Sequence, residues 1–128
     1  MTQEDKNLLF KDLCARLPYR VKVKITPVNT ENYSFNARII EINTDDIIGT
    51  VNKNNIYCRH DIDEVKPYLF PLSSITEEQY KEYWELEHSG NMEHLSIPAL
   101  DWLNTNYFDY RGLIEKGLAI DATDLNIY

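Results

Sequence analysis

Arg20-Val21-Lys22-Val23-Lys24-Ile25 alternates without a break. Successive side chains of an extended chain point to opposite faces, so Val21, Val23 and Ile25 line one side and Arg20, Lys22 and Lys24 the other. A segment with one apolar and one cationic face is a half-buried strand of an antiparallel sheet. Before it, Leu9, Phe10, Leu13, Cys14 and Leu17 recur at spacings of three and four, with Thr2 to cap, Glu4 and Asp5 in the first turn and Pro18 to stop; this predicts a helix over 3–17. After it, turn formers at 27–32 lead into a second alternation, Tyr33, Phe35, Ala37 and Ile39. Two more short runs, Ile47 to Val51 and Ile56 to Arg59, flank Asn52-Lys53-Asn54-Asn55, whose asparagines tolerate the left-handed backbone of a tight turn.

The economical reading is an α+β fold, with an N-terminal helix and a four-stranded antiparallel meander that strong twist would bring towards a small SH3-like barrel. Asp61 to Leu72 is expected to cross as a non-strand segment, because Pro67 and Pro71 deny ladder hydrogen bonds. Helices follow. Ser74 or Thr76 caps one over 77–88 that buries Tyr80, Tyr83, Trp84 and Leu86. Ser89-Gly90-Asn91 ends it, Ser96 and Pro98 start another to about Thr105, and a short helical piece at 110–116 closes on Gly117. Leu118, Ala119 and Ile120 supply a terminal strand or a docked tail.

The chain has 128 residues, 43% of them apolar, which suits one domain over 1–128 with one core. No apolar run approaches the roughly 20 residues that cross a bilayer, and the acidic start is unlike a secretory leader. Cys14 and Cys58 have no CxxC spacing and read as small buried hydrophobes of a cytoplasmic protein. The charge is lopsided: residues 1–66 hold ten Lys/Arg and ten Asp/Glu, residues 67–128 three and eleven, so the whole −8 falls in the second, mainly helical part. Such a surface repels phosphate backbones and attracts basic partners.

Chemistry-bearing clusters are few. His60, Asp61 and Asp63 are the best metal candidates, because on a strand the two aspartates would share a face. His88, Glu93 and His94 offer two imidazoles and a carboxylate at a spacing that fits no zinc signature. Cys58 beside His60 reads as two ordinary strand side chains. No nucleophile elbow, dinucleotide fingerprint or P-loop occurs, so no catalytic residue and no cofactor is assigned. The cationic strand face, Arg20, Lys22 and Lys24 with Arg38 or Lys53 alongside, is the single local argument for nucleic acid, and the same residues would dock the acidic part of a second copy.

Three stretches resemble a family of short proteins encoded by gut Bacteroidales bacteria, often in prophage-like or mobile regions. They are Leu8-Leu9-Phe10-Lys11-Asp12-Leu13-Cys14-Ala15-Arg16-Leu17-Pro18-Tyr19, the middle stretch from Asp63-Glu64-Val65 to Leu72-Ser73-Ser74, and Asp101-Trp102-Leu103-Asn104 together with Phe108 to Ala119. The resemblance brings no activity, substrate or catalytic residue with it. Within the last stretch, Phe108, Asp109, Tyr110 and Arg111 pack two aromatics, an acid and a base against Gly112, a composition suited to a structural corner or a recognition surface. In the corner reading Asp109 caps the next turn and Arg111 pairs with a carboxylate. The sequence therefore points to a non-enzymatic accessory or adaptor protein working through protein contact or self-association. The alternatives are a small metal-dependent, hydrolase-like enzyme using His60, Asp61 and Asp63, and a nucleic-acid-binding barrel using Arg20, Lys22, Lys24 and Arg38.

Overall fold

The computed structural model describes residues 1–28, 33–87 and 97–128. Helix α1 spans Gln3–Arg16 and begins in a capping box: Thr2 Oγ1 accepts from Asp5 N at 3.1 Å while Asp5 reaches back to Thr2 N. Its buried stripe is Leu9, Asp12, Leu13 and Arg16. The helical period is as expected, but two of the four inward positions are charged. Cys14 is exposed and Cys58 half buried, against the expectation that both are core.

The strands are β1 (Lys22–Ile25), β2 (Phe35–Ile42), β3 (Ile47–Val51), β4 (Tyr57–Asp61), β5 (Val65–Pro71), β6 (Phe108–Asp109) and β7 (Ile120–Asp121). The four-stranded meander is present as β1 to β4, but it is part of a larger open sheet, ordered β4-β3-β2-β1-β5-β6 with β7 also on β5. Seven strands therefore replace the expected four, and the sheet does not close into a barrel. The physical cause is β5. Thr26 N donates to Glu64 O at 2.9 Å, so the alternation of an antiparallel ladder makes Lys24–Lys66 a hydrogen-bonded pair and Val23–Pro67 a non-bonded one. At Pro67 the missing N–H is not required by β1, and the segment from Val65 onward is a strand despite its prolines. β5 then takes β6 and β7 as parallel partners.

The β1–β5 ladder would next hydrogen-bond Lys22 to Tyr68. There the Tyr128 hydroxyl stands between them, accepting from Lys22 N at 2.8 Å and donating to Tyr68 O at 3.0 Å. Its ring lies flat on Tyr107, centroids 3.9 Å apart. Burial pushes the Tyr128 phenol far above the ordinary range, so it stays a neutral donor.

Leu9 and Leu13 of α1 join Val21, Val23, Ile25, Ala37, Ile39, Ile48, Ile62, Val65 and Leu69 in the main core. The opposite sheet face carries the polar alternates. On it, Gly49 is required by close approach: a Cβ there would lie 3.0 Å from Glu41 Cβ and 3.1 Å from the Tyr57 ring.

Helix α2 (Glu77–Glu87) is capped by Thr76, whose Oγ1 accepts from Gln79 N while Gln79 answers at Thr76 N. Helix α3 spans Ile97–Thr105, and Trp102, Leu103 and Phe108 form a second, smaller core. Two expectations fail here. Tyr80 and Trp84 are 56% and 48% exposed instead of buried. Residues 110–116 turn without forming a helix, because Gly112 inside the segment takes a left-handed φ of 74°. The expected helix end at Ser89-Gly90-Asn91 and cap at Ser96 lie outside the described residues. No described helix is long and apolar enough to cross a membrane.

Candidate functional site

Asp109 organises the turn after β6. Its Oδ1 accepts from Leu113 N at 2.9 Å and its Oδ2 from Ile114 N at 3.0 Å. Phe108 and Asp109 are buried, and Arg111 donates through Nη1 to Asp12 Oδ1 at 2.9 Å. The same Nη1 donates to Tyr110 Oη at 2.8 Å, and Tyr110 donates onward to Asn104 Oδ1 at 2.7 Å. The guanidiniums of Arg111 and Arg16 lie 4.6 and 5.1 Å from the Tyr110 ring centroid. Within the Phe108–Arg111 segment, Phe108 and Asp109 each line one surface depression and Tyr110 lines two, and Tyr110 is held in place from several sides.

Tyr110 stands in the wall of an apolar groove of about 840 Å³. Among the described residues, Leu72 and Ile75 form one side, Leu103 and Tyr110 the other, and Tyr80 and Tyr83 of α2 close it. Leu72 is 45% exposed. A second depression of about 320 Å³ shares Leu72 and Tyr110 and continues to Ile114 and Glu115. Burial, and then the neighbouring Glu87 carboxylate, raise the Tyr83 phenol, which therefore remains neutral in the groove lining. Helix α2 carries Glu77, Glu78, Glu82, Glu85 and Glu87 against a single Lys81, and it buries none of its side chains fully. The groove is thus apolar within, with Glu77 and Lys81 as the charged residues of its lining, beside a helix that is anionic as a whole. Sequence reading missed it by turning Tyr80 inward; the available signal was a short helix with too many glutamates to need three aromatic residues for its own packing.

The metal candidates are dispersed. His60 sits on β4 with its ring against Phe35, centroids 5.7 Å apart. Asp61 is the next strand residue, on the opposite face, and caps the 3-10 turn Ile62–Glu64. Asp63 lies within that turn and pairs with Lys6 at 3.4 Å. The expectation that Asp61 and Asp63 share a strand face is thereby corrected, since the chain leaves the strand between them. Among the described residues no three His, Cys, Asp or Glu side chains converge on a metal-sized space. His88, Glu93 and His94 lie outside the described residues.

The cationic residues are brought together. Arg20, Lys22 and Arg38 line a groove of about 470 Å³ on the outer sheet face, joined by Lys53 from the β3–β4 turn. Lys24 lies on the same face as Lys22, directly opposite Lys66. Asn36 and Asn52 also line the groove, two residues that charge counting alone does not single out.

No protein-family model matches the chain, and neither does any curated protein or solved structure.

Proposed function

We propose that the protein is a cytoplasmic, non-enzymatic adaptor that binds a short amphipathic segment of a partner protein in the α2 groove. The observation that carries this reading is the groove itself: Leu72, Ile75, Tyr80, Tyr83, Leu103 and Tyr110 leave apolar surface open at the foot of a helix bearing five glutamates. Soluble proteins rarely leave a large contiguous apolar patch uncovered without an interaction to use it. The net negative charge of α2 supports a partner with basic flanks. Aromatic or aliphatic anchors enter the groove, and flanking Lys or Arg residues meet the glutamates, which speed the encounter more than they tighten the complex. Tyr110, fixed by Arg111 and Asn104, provides a rigid wall, which limits the ordering cost of binding.

A peptide-display selection tests this. The wild-type protein should enrich peptides with two or more apolar anchors flanked by basic residues. Those peptides should bind neither Leu72→Asp nor Tyr80→Asp, both exposed positions whose replacement leaves the thermal midpoint nearly unchanged. Equal enrichment on wild type and both variants would remove the groove as the binding site.

A further inference from the structure

We propose that the outer sheet face holds a second, independent site, the groove between Arg20, Lys22, Arg38 and Lys53, which binds a compact phosphorylated ligand of about nucleotide size. The site does not rest on the α2 groove or its partner.

The first observation is charge. In a chain of net charge −8, four of the thirteen cationic side chains line this one groove, and no described carboxylate lines it with them. None of the four is in an ion pair among the described residues. Lys24 and Lys66 stand as direct cross-strand partners on the same face, an arrangement that costs stability in the absence of a counter-charge.

The second observation is the sense of the hydrogen bonds. Asn36 Oδ1 already accepts from the Tyr68 hydroxyl at 2.6 Å. Asn52 Oδ1 already accepts from Asn54 N and Ile56 N at 2.8 and 3.1 Å. Among the described residues, what these two asparagines still offer is their Nδ2 donors. Donors from four cations and two amides therefore converge on one space, and a phosphoryl group, with several acceptor oxygens and no donor when fully ionised, is their chemical complement.

The third observation is preorganisation and size. Arg38 Nη1 donates to Arg20 O at 3.0 Å, and Lys22 Nζ donates to Ile127 O while lying 5.7 Å from the Tyr128 ring centroid. Lys22 and Arg38 are thus each anchored by one donor and keep others to spare. Ile40, Val51 and Ile127 give the groove an apolar part for the organic portion of a ligand. Its volume of about 470 Å³ falls within the roughly 300–1,000 Å³ usual for small-molecule sites. A compact ligand is favoured over a long nucleic-acid strand, because the cationic face is confined to the meander and the rest of the chain carries the whole net negative charge.

The test is calorimetric titration of the purified full chain with ATP, with inorganic pyrophosphate and with a twenty-residue oligothymidylate, at low and at moderate salt. Saturable binding of ATP and pyrophosphate is expected, weakened by salt. It should fall about tenfold or more in Arg38→Ala, from loss of a charged hydrogen bond, fall similarly in Lys53→Ala, and stay unchanged in Leu72→Asp. Lys53 lies on an exposed turn, so its variant keeps the test valid if Arg38→Ala perturbs the fold. Three results would overturn the proposal: no saturable binding of either small ligand; binding that Arg38→Ala and Lys53→Ala both leave intact; or oligothymidylate bound more tightly than ATP through the same residues, which would reassign the groove to a strand. A concentration-dependent dimer broken by Lys53→Glu would also overturn it, by making the acidic surface of a second copy the occupant.

Discussion

Asp12 and Arg16 lie one turn apart on α1, both wholly buried, with Arg16 Nε 2.8 Å from Asp12 Oδ2. Asp12 also receives Arg111 at 2.9 Å, and Arg16 Nη2 donates to Phe108 O at 2.6 Å, so one carboxylate ties the first helix to the turn after β6. Removing one partner of a buried pair strands the other charge, at a cost of about 3–5 kcal/mol. Asp12→Ala is expected to lose that much in urea unfolding. Asp12→Leu combined with Arg16→Met should lose less than Asp12→Leu alone, because the wholly buried cation is gone and only the partly exposed Arg111 is left without its carboxylate.

Tyr128→Phe keeps the stack on Tyr107 but leaves Lys22 N and Tyr68 O facing each other without the bridging hydroxyl. Losing a hydrogen bond at partly buried backbone costs on the order of 1 kcal/mol, and the denaturation midpoint should fall accordingly. The pH dependence has a definite sign. The folded phenol has a raised pKa, so its contribution is full below the ordinary tyrosine range and is lost as pH rises through and beyond about 10. Stability measured from pH 8 to 11 should decline less steeply in Tyr128→Phe.

Gly49→Ala and Gly112→Ala separate crowding from backbone strain. At Gly49 a Cβ collides with Glu41 Cβ and disturbs Tyr57, whose hydroxyl accepts from Arg59 Nε at 2.9 Å. Overpacking of this kind costs about 1–3 kcal/mol. At Gly112 there is open space but a φ of 74°, and an L-residue pays roughly 1–2 kcal/mol for the left-handed conformation. In thermal melts both variants are less stable. A larger unbranched side chain, Ser, should worsen the loss at Gly49 and make little further difference at Gly112.

His60 has its Nε2 buried without a hydrogen-bond partner among the described residues, and burial holds its pKa below the ordinary value, with Glu64 opposing the shift in part. The unfolded chain takes up this proton more readily than the fold. Stability therefore falls as pH drops below about 6.5 and stops falling, for this group, beneath the folded pKa. Replacing the ring in His60→Leu should flatten that part of a stability profile measured from pH 7.5 to 5.

The alternation from Val21 to Ile25 was legible because one face meets α1 and the other meets water, so burial follows sequence residue by residue. β5 was not, because a proline forbids a strand only where its N–H would be used, and that depends on which partner arrives and in what register. The inward stripe of α1 was half legible. Leu9 and Leu13 announce it, whereas Asp12 and Arg16 carry the same spacing but read as solvated until Phe108 O and Arg111 close over them. The two grooves were the least legible parts, since each joins residues from separate elements: Leu72 with Leu103 and Tyr110 in one, Lys22 with Lys53 and Ile127 in the other. Local periodicity contains no record of such meetings.

The pairing of β5 sets an order of events in folding. Strands β1 to β4 join through hairpin-range contacts, whereas Phe70 must find Phe108 and Tyr68 must find Ile120, closing loops of several dozen residues. Chain closure over such separations is slow compared with hairpin formation. The meander and its cationic face should acquire hydrogen-exchange protection first, and the β6 and β7 strands with the groove beside α2 last, so the earlier-forming half serves as the template on which the acidic half registers.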